Sequence, residues 1–387
     1  MARCYLTTTV VHGGPPDLGY ALEVVRADVL ARHHRLRGDR VRFLTGGSPE
    51  YARLRESLAL TSTDFLEAGE DARHLAGVER LRAACGDVSS ARQVERVRDL
   101  IRAGKLRVEP AGRREEVLAG EVSEVDVDST AAYITSLGYG VDGPNHRRWW
   151  TDGDRRVHVI GPDQLVSHAL GWPAVLLAAG LPLPTDVLVR EVVEELEVVA
   201  PDDLARRYGP DAVRWWLLCD PPSTTEFAAS RIVARANADL AKGLGDLVDQ
   251  ITVMVHRYRD GKPPEVVEPV EDAEALYVAC REAPERVHDA LGGFDFGQAT
   301  GAVWRIVDEA RAFALRSRAW DLARAERGGD VEAGRRLDAV LAVLLTACRV
   351  LARELTPFVP TLATRIAQQC ITLTGVLAPQ QDLVRRF

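Results

Sequence analysis

The segment "CYLTTTVVHGGPPDLGYALEVVRADVLARHHRLRGDRVRFLTGG", residues 4–47, constrains the fold more than any other part of the chain. Residues 4–11 are rich in β-branched side chains and read as a strand. The glycine- and proline-rich turn "HGGPPDLGY" follows. It opens an amphipathic helix that closes at Gly38, the predicted C-cap. "RVRFLTGG" then reads as a second strand. Strand, turn, helix and strand in this order predict a doubly wound parallel sheet. The turn sits where backbone N–H groups and the positive helix end face an anion.

The alternation continues to about residue 190 and then stops. Residues 51–110 read as helical and arginine-rich, with Asp64 as a candidate N-cap, and 117–128 as an acidic alternating stretch. "STAAYITSLGYG" reads as a helix closed by glycine, and "RRVHVIGPDQLVSHALGWPAVLLAAGL" as strand, turn and buried helix. From about 225 the periodicity is helical with almost no strand signal, and helices are expected over 272–290, 297–325, 331–355 and 357–372. This half reads as a helical bundle. "DGKPPEVVEP" is a loop or linker.

Composition narrows the function classes. The 387 residues are 46% hydrophobic and 27% charged, with a net charge of -8, which speaks against an obvious nucleic-acid surface. Arginine supplies nearly all the cations. The three lysines are Lys105, Lys242 and Lys262. Six scattered cysteines without a CxxC pair predict free thiols in a reducing cytoplasm, with no disulfide framework and no metal site. No basic leader and no apolar run of about 20 residues is visible, so a soluble cytoplasmic protein without a membrane role is expected.

Several blocks resemble the methionyl-tRNA synthetases, a class I aminoacyl-tRNA synthetase family. These are "ADVLARHHRLRGDRVRFLTG", "VHVIGPDQLVSHALGWPAVLLAAGLPLP", "APDDLARRYGPDAVRWWLL", "ANADLAKGLGDLV" and "SRAWDLAR", in family order. The resemblance implies a Rossmann-type catalytic-like domain over 1–185, without the family's zinc-knuckle insertion. A stem-contact-like connection follows over 186–224, and an α-helical anticodon-binding-like domain over 225–387. It also implies the family's chemistry: ATP and an amino acid give an aminoacyl-adenylate, and the acyl group passes to tRNA.

Within that resemblance the chain departs from the ATP signatures. The HxGH-type turn aligns with "DLGY", so Asp17 and Tyr20 replace its histidines, while Gly19 is kept. An aspartate accepts hydrogen bonds and repels phosphate. His12 is a substitute donor to consider. The region of the KMSKS loop reads "LVREVVEELEVVAPDD", with Arg190 as its only cation and no lysine. Ser48 stands where the family has the aspartate that anchors the substrate ammonium, with Glu50 nearby.

Other positions match. Asp128, Tyr133, His168 and Trp172 fall at amino-acid-pocket positions, and Gly161 and Asp163 lie in the ribose-contacting turn. Thr9 and Val11 replace pocket walls. Asp126 falls at the tryptophan that closes on methionine, and its expected burial suggests a cationic or hydroxylated amino acid. Trp320 aligns with an anticodon-stacking tryptophan, whereas Asp246 and Gln250 replace the family's asparagine and arginine. Together these features predict a truncated, divergent paralogue. Two readings stay open: a non-translational protein that binds or activates an amino acid or related small molecule, and an inactive subunit serving a protein partner. Relatives fused to a cupin domain act in nitrogen–nitrogen bond assembly. ATP is the one cofactor in question, and standard tRNA charging is the third reading.

Overall fold

The computed structural model describes residues 1–387 except 11–14, 47, 67–70, 86–90, 123–124, 142, 192–198, 220–228, 266–269, 271, 373, 380–382 and 385–387. Val11, His12 and most of the acidic stretch after Glu191 therefore lie outside the described residues. The described chain falls into two compact units, one over Met1–Arg207 and one over Tyr208–Cys219 and from residue 229 onward.

The first unit is built on six parallel strands: β1 Arg3–Thr8, β2 Arg40–Gly46, β3 Asp64–Leu66, β4 Arg107–Glu109, β5 Arg155–Ile160 and β6 Asp186–Val189. Their order is β3-β2-β1-β5-β6-β4, and each described pairing is parallel. From β1 the chain winds to one side through β2 and β3, while β5 and β6 lie on the other. The switch point is thus between the C-terminal ends of β1 and β5, where open α/β sheets bind ligands.

Around the sheet lie α1 Leu18–Leu36, α2 Pro49–Ser57, α3 Ala72–Cys85, α4 Ala91–Arg102, α5 Arg114–Ala119, α6 Val127–Thr135 and α7 Trp172–Ala178, and α8 Pro201–Tyr208 follows. The expected end of α1 is observed: Gly38 takes φ +87, a conformation that favours glycine. Its expected amphipathic character is not. Nearly every residue from Leu18 to Ala31 is buried, including Glu23, Arg26 and Asp28. There Arg26 pairs with Glu191, and Asp28 with Arg32 and Thr61.

One local expectation is corrected. Asp64 does not cap a helix. It opens β3 and holds Arg42 of the neighbouring strand. In the acidic stretch 117–128, α5 runs to Ala119 and α6 begins at Val127.

The second unit is all helical among the described residues: α9 Pro210–Cys219, α10 Ala229–Arg235, α11 Asp246–Arg259, α12 Glu274–Gly292, α13 Phe296–Ser317, α14 Ala319–Arg327, α15 Val331–Glu354 and α16 Pro360–Cys370. A π-helical stretch, Ala236–Gly245, joins α10 to α11. The single helix expected over 297–325 is two helices, broken at Arg318, which takes φ +47. Arg214 is wholly buried and donates from Nε to the Phe358 carbonyl and from Nη2 to the Pro357 carbonyl, each at 2.8 Å. All six cysteines are free. Among the described residues no helix is long and apolar enough to cross a membrane.

Candidate functional site

The crevice at the switch point is framed by the start of α1, the turn after β5 and the end of β6. Asp17 is the N-cap of α1, and its Oδ1 accepts from the Tyr20 backbone N–H at 2.6 Å. A cap of this kind satisfies an orphan helix donor. Tyr20 points into the core. Its hydroxyl lies 3.3 Å from Thr8 Oγ1 and accepts from Gly46 N at 3.3 Å, and its ring meets Tyr51 edge-on at 4.7 Å. Burial raises its pKa further above the phenol range.

One turn along α1, Glu23 is buried, and its Oε1 accepts from the Thr9 backbone N–H at 2.5 Å. Burial pushes its carboxyl up to about 8, against the pull of the Thr9 N–H and of Arg190. Arg190, directly after β6, places Nε 4.0 Å from Glu23 Oε2, and its Nη1 donates to the Glu191 carbonyl at 3.0 Å. Gly161 and Asp163 form the turn after β5. Asp163 is exposed, and its Oδ2 accepts from Gln164 Nε2 at 2.9 Å.

Behind the crevice lies an aromatic box. Tyr133 on α6 and His168 before α7 are hydrogen-bonded, with Oη 2.8 Å from Nε2. The other His168 nitrogen, Nδ1, lies 3.1 Å from the Gln164 carbonyl and 2.8 Å from Ser167 Oγ. A carbonyl only accepts, so Nδ1 carries the proton, and Nε2 accepts from the Tyr133 hydroxyl. Burial lowers the His168 pKa to about 4, which keeps the ring neutral. His158 on β5 lies 4.3 Å from the Tyr133 ring, and burial drives its pKa well below the ordinary value. Trp172 is fully buried, with Tyr133 and Trp150 at 6.2 and 6.5 Å. Trp172 Nε1 and His158 Nε2 find no hydrogen-bond partner among the described residues. Buried polar atoms of this kind ask for a water or a ligand group.

The chain is similar to methionine–tRNA ligases. The family model described as tRNA synthetases class I (M) matches residues 120–252. The methionine–tRNA ligase of Caldanaerobacter subterraneus subsp. tengcongensis is 30% identical over 256 residues, 63% of this chain and 39% of that protein. The methionine–tRNA ligase 1 of Bacillus cereus is 29% identical over 245 residues, 60% of this chain and 36% of that protein. The chain thus resembles methionyl-tRNA synthetases over about three fifths of its length, with a class I tRNA synthetase match at residues 120–252. Its sequence matches span about two fifths of the length of these curated relatives. The Mycobacterium tuberculosis methionyl-tRNA synthetase in complex with methionyl-adenylate shares the fold, with a TM-score of 0.89, full coverage of both chains and 22% identity.

Placed in this methionyl-tRNA synthetase fold, the expected site residues separate. Thr9, Gly19, Gly161 and Asp163 surround the crevice, and Tyr133, His168 and Trp172 form the box. Ser48 sits at the start of α2, where its Oγ donates to Glu50 Oε2 at 3.0 Å. Asp126 is corrected. It is not buried and caps α6, accepting from Ser129 N at 3.1 Å and Ser129 Oγ at 2.5 Å. It is therefore no buried acid, and the ground for a cationic ligand goes with it. Asp128 is also solvent-accessible and pairs with Arg82 at 3.0 Å. Trp320, the second residue of α14, is 42% exposed. Sequence reasoning missed Glu23, His158 and the seat of Arg190. Only the last left a trace, as the lone cation in an acidic stretch.

Proposed function

We propose that the chain binds a neutral amino acid, methionine being the best match, in the box of Tyr133, His168 and Trp172, without the ATP chemistry of its relatives. The observation that carries the first half is the neutrality of the box. Both histidines are held uncharged and Asp126 caps a helix at the surface. The acids whose charge reaches the box are Glu23, itself buried and pushed up to about 8, and the exposed Asp126 and Asp163. Tyr133, His168 and Trp172 themselves offer a cationic side chain no carboxylate, and an unpaired buried charge is costly. A thioether meets aromatic rings favourably, and Trp172 Nε1 offers it a donor without a partner among the described residues.

The second half rests on the first ATP signature. Asp17 is engaged as a helix cap and Tyr20 as a core residue. Neither presents a donor to a phosphate oxygen, so the residues present do not fit a triphosphate held in the relatives' way. In the box, the Gln164 carbonyl orients His168, and His168 in turn fixes the Tyr133 hydroxyl. The chain's own groups thus fix the orientation of the polar atoms that a side chain would meet in the box. That suits a binding role in specialised metabolism, outside translation.

Isothermal titration with methionine, norleucine, lysine and ornithine tests the first half, and methionine-dependent ATP–pyrophosphate exchange tests the second. Saturable methionine or norleucine binding, with no response to the basic amino acids and no exchange, is the expected result. Lysine binding with methionine silent overturns the assignment of the box, and robust exchange overturns the second half. A second reading, RNA binding by the helical unit, is favoured by the exposure of Trp320, whose free face suits stacking on a base.

A further inference from the structure

We infer that Arg190 sets what the crevice admits: its guanidinium, seated on Gly19 and Gly161, excludes the flat face of a purine nucleoside. A methyl group placed on Gly19 would lie 2.5 Å from Arg190 Nη2, 2.6 Å from Cζ and 2.8 Å from Nη1. One placed on Gly161 would lie 2.5 Å from Asp163 Oδ1, 3.2 Å from Arg190 Nη2 and 3.6 Å from its Cζ. The guanidinium thus covers Gly19 and shares with the Asp163 carboxylate the cover of Gly161, the two residues whose missing side chains leave room at the switch point of the sheet. A ring packed on these backbones would need the layer about 3.5 Å above them. That layer is already filled by a planar group with similar packing demands.

The seat is held from several sides. The Arg190 side chain is 11% exposed, its Nη1 donates to the Glu191 carbonyl, and Nε faces Glu23. The Glu191 carboxylate is gripped by Arg26 at 2.7 and 2.9 Å, so the backbone that carries Arg190 is itself anchored to α1. No aspartate or histidine change at the first signature is needed to produce this exclusion. It is a separate obstacle, carried by a residue at the end of β6, the strand beside β5. The inference deepens the second half of the proposed function and rests on it.

The test is calorimetric titration of adenosine and of ATP into the full chain, comparing wild type with Arg190→Ala and Arg190→Ser, each checked for native fluorescence. Wild type is expected to show no saturation with millimolar adenosine. Either variant is expected to bind adenosine at least about tenfold more tightly, with ATP gaining in parallel. Adenosine affinity unchanged in both variants overturns the inference. So does ATP binding that falls in the variants while adenosine stays level, since that marks Arg190 as a phosphate ligand. Should both variants fail to fold, micromolar adenosine binding by wild type still overturns it. Methionine titration of wild type is read independently, so failure here is distinguishable from failure of the box.

Discussion

Replacing Glu23 with glutamine should change the pH dependence of stability, because its buried carboxyl titrates near 8 instead of near its ordinary 4.5. The folded state then holds a proton that the unfolded state has released, so stability falls as pH rises through this window. Each tenfold gain in proton affinity corresponds to about 1.4 kcal/mol, so the whole effect is on the order of 5 kcal/mol. Most of it is lost between about pH 5 and pH 8. Glutamine keeps an acceptor for the Thr9 N–H and puts an N–H where the protonated carboxyl has its O–H. The variant should therefore match wild type near pH 5 and exceed it near pH 8 by about 3 kcal/mol. Urea unfolding of both proteins at several pH values, read on the transition of the first unit, measures the difference. Other titrating groups are common to both chains and cancel. A difference that stays flat from pH 5 to pH 8 would refute the reasoning, because it would mean that Glu23 ionises at its ordinary value.

Two further outcomes follow from the packing. Asp17→Ala should lower the stability of the first unit by about 1 kcal/mol, the usual cost of a lost N-cap, and leave methionine titration unchanged; a loss of ligand binding without a stability change would place Asp17 in the ligand site instead. Arg214→Met should destabilise the helical unit by about 2–4 kcal/mol in urea unfolding, since the Pro357 and Phe358 carbonyls lose their buried donor. An unchanged midpoint would show that these carbonyls find other partners.

The strand and helix at the N-terminus and the helical second half are legible in the sequence because local periodicity and punctuation carry them. The end of α1 at Gly38 needs only a left-handed residue after a periodic run. Asp64 is harder to read because a three-residue edge strand is too short to show a period, and aspartate serves a helix start as readily as a cross-strand pair with Arg42. Asp126 misleads for a related reason. Its place at the mouth of a pocket is a matter of alignment, but its exposure is set by the cap it makes to Ser129. In α1 the charges at 23, 26 and 28 look like a solvated face, and only tertiary partners such as Glu191 turn that face inward.

The same distinction explains why the crevice looks different in sequence and in three dimensions. In sequence, the departure from the family is a set of missing donors: Asp17 and Tyr20 for histidines, and Arg190 alone among acids. Absence by itself leaves the turn as an empty inherited cradle. The fold shows instead that each replacement has a task. Asp17 closes the helix end, Tyr20 fills the space between Thr8, Gly46 and Tyr51, and Arg190 covers Gly19 and, with Asp163, Gly161. Residues committed to structure in this way do not become phosphate donors by small movements. Restoring a single histidine should therefore not restore nucleotide binding while Arg190 keeps its seat, because the obstacle is an occupied space as well as a missing hydrogen bond.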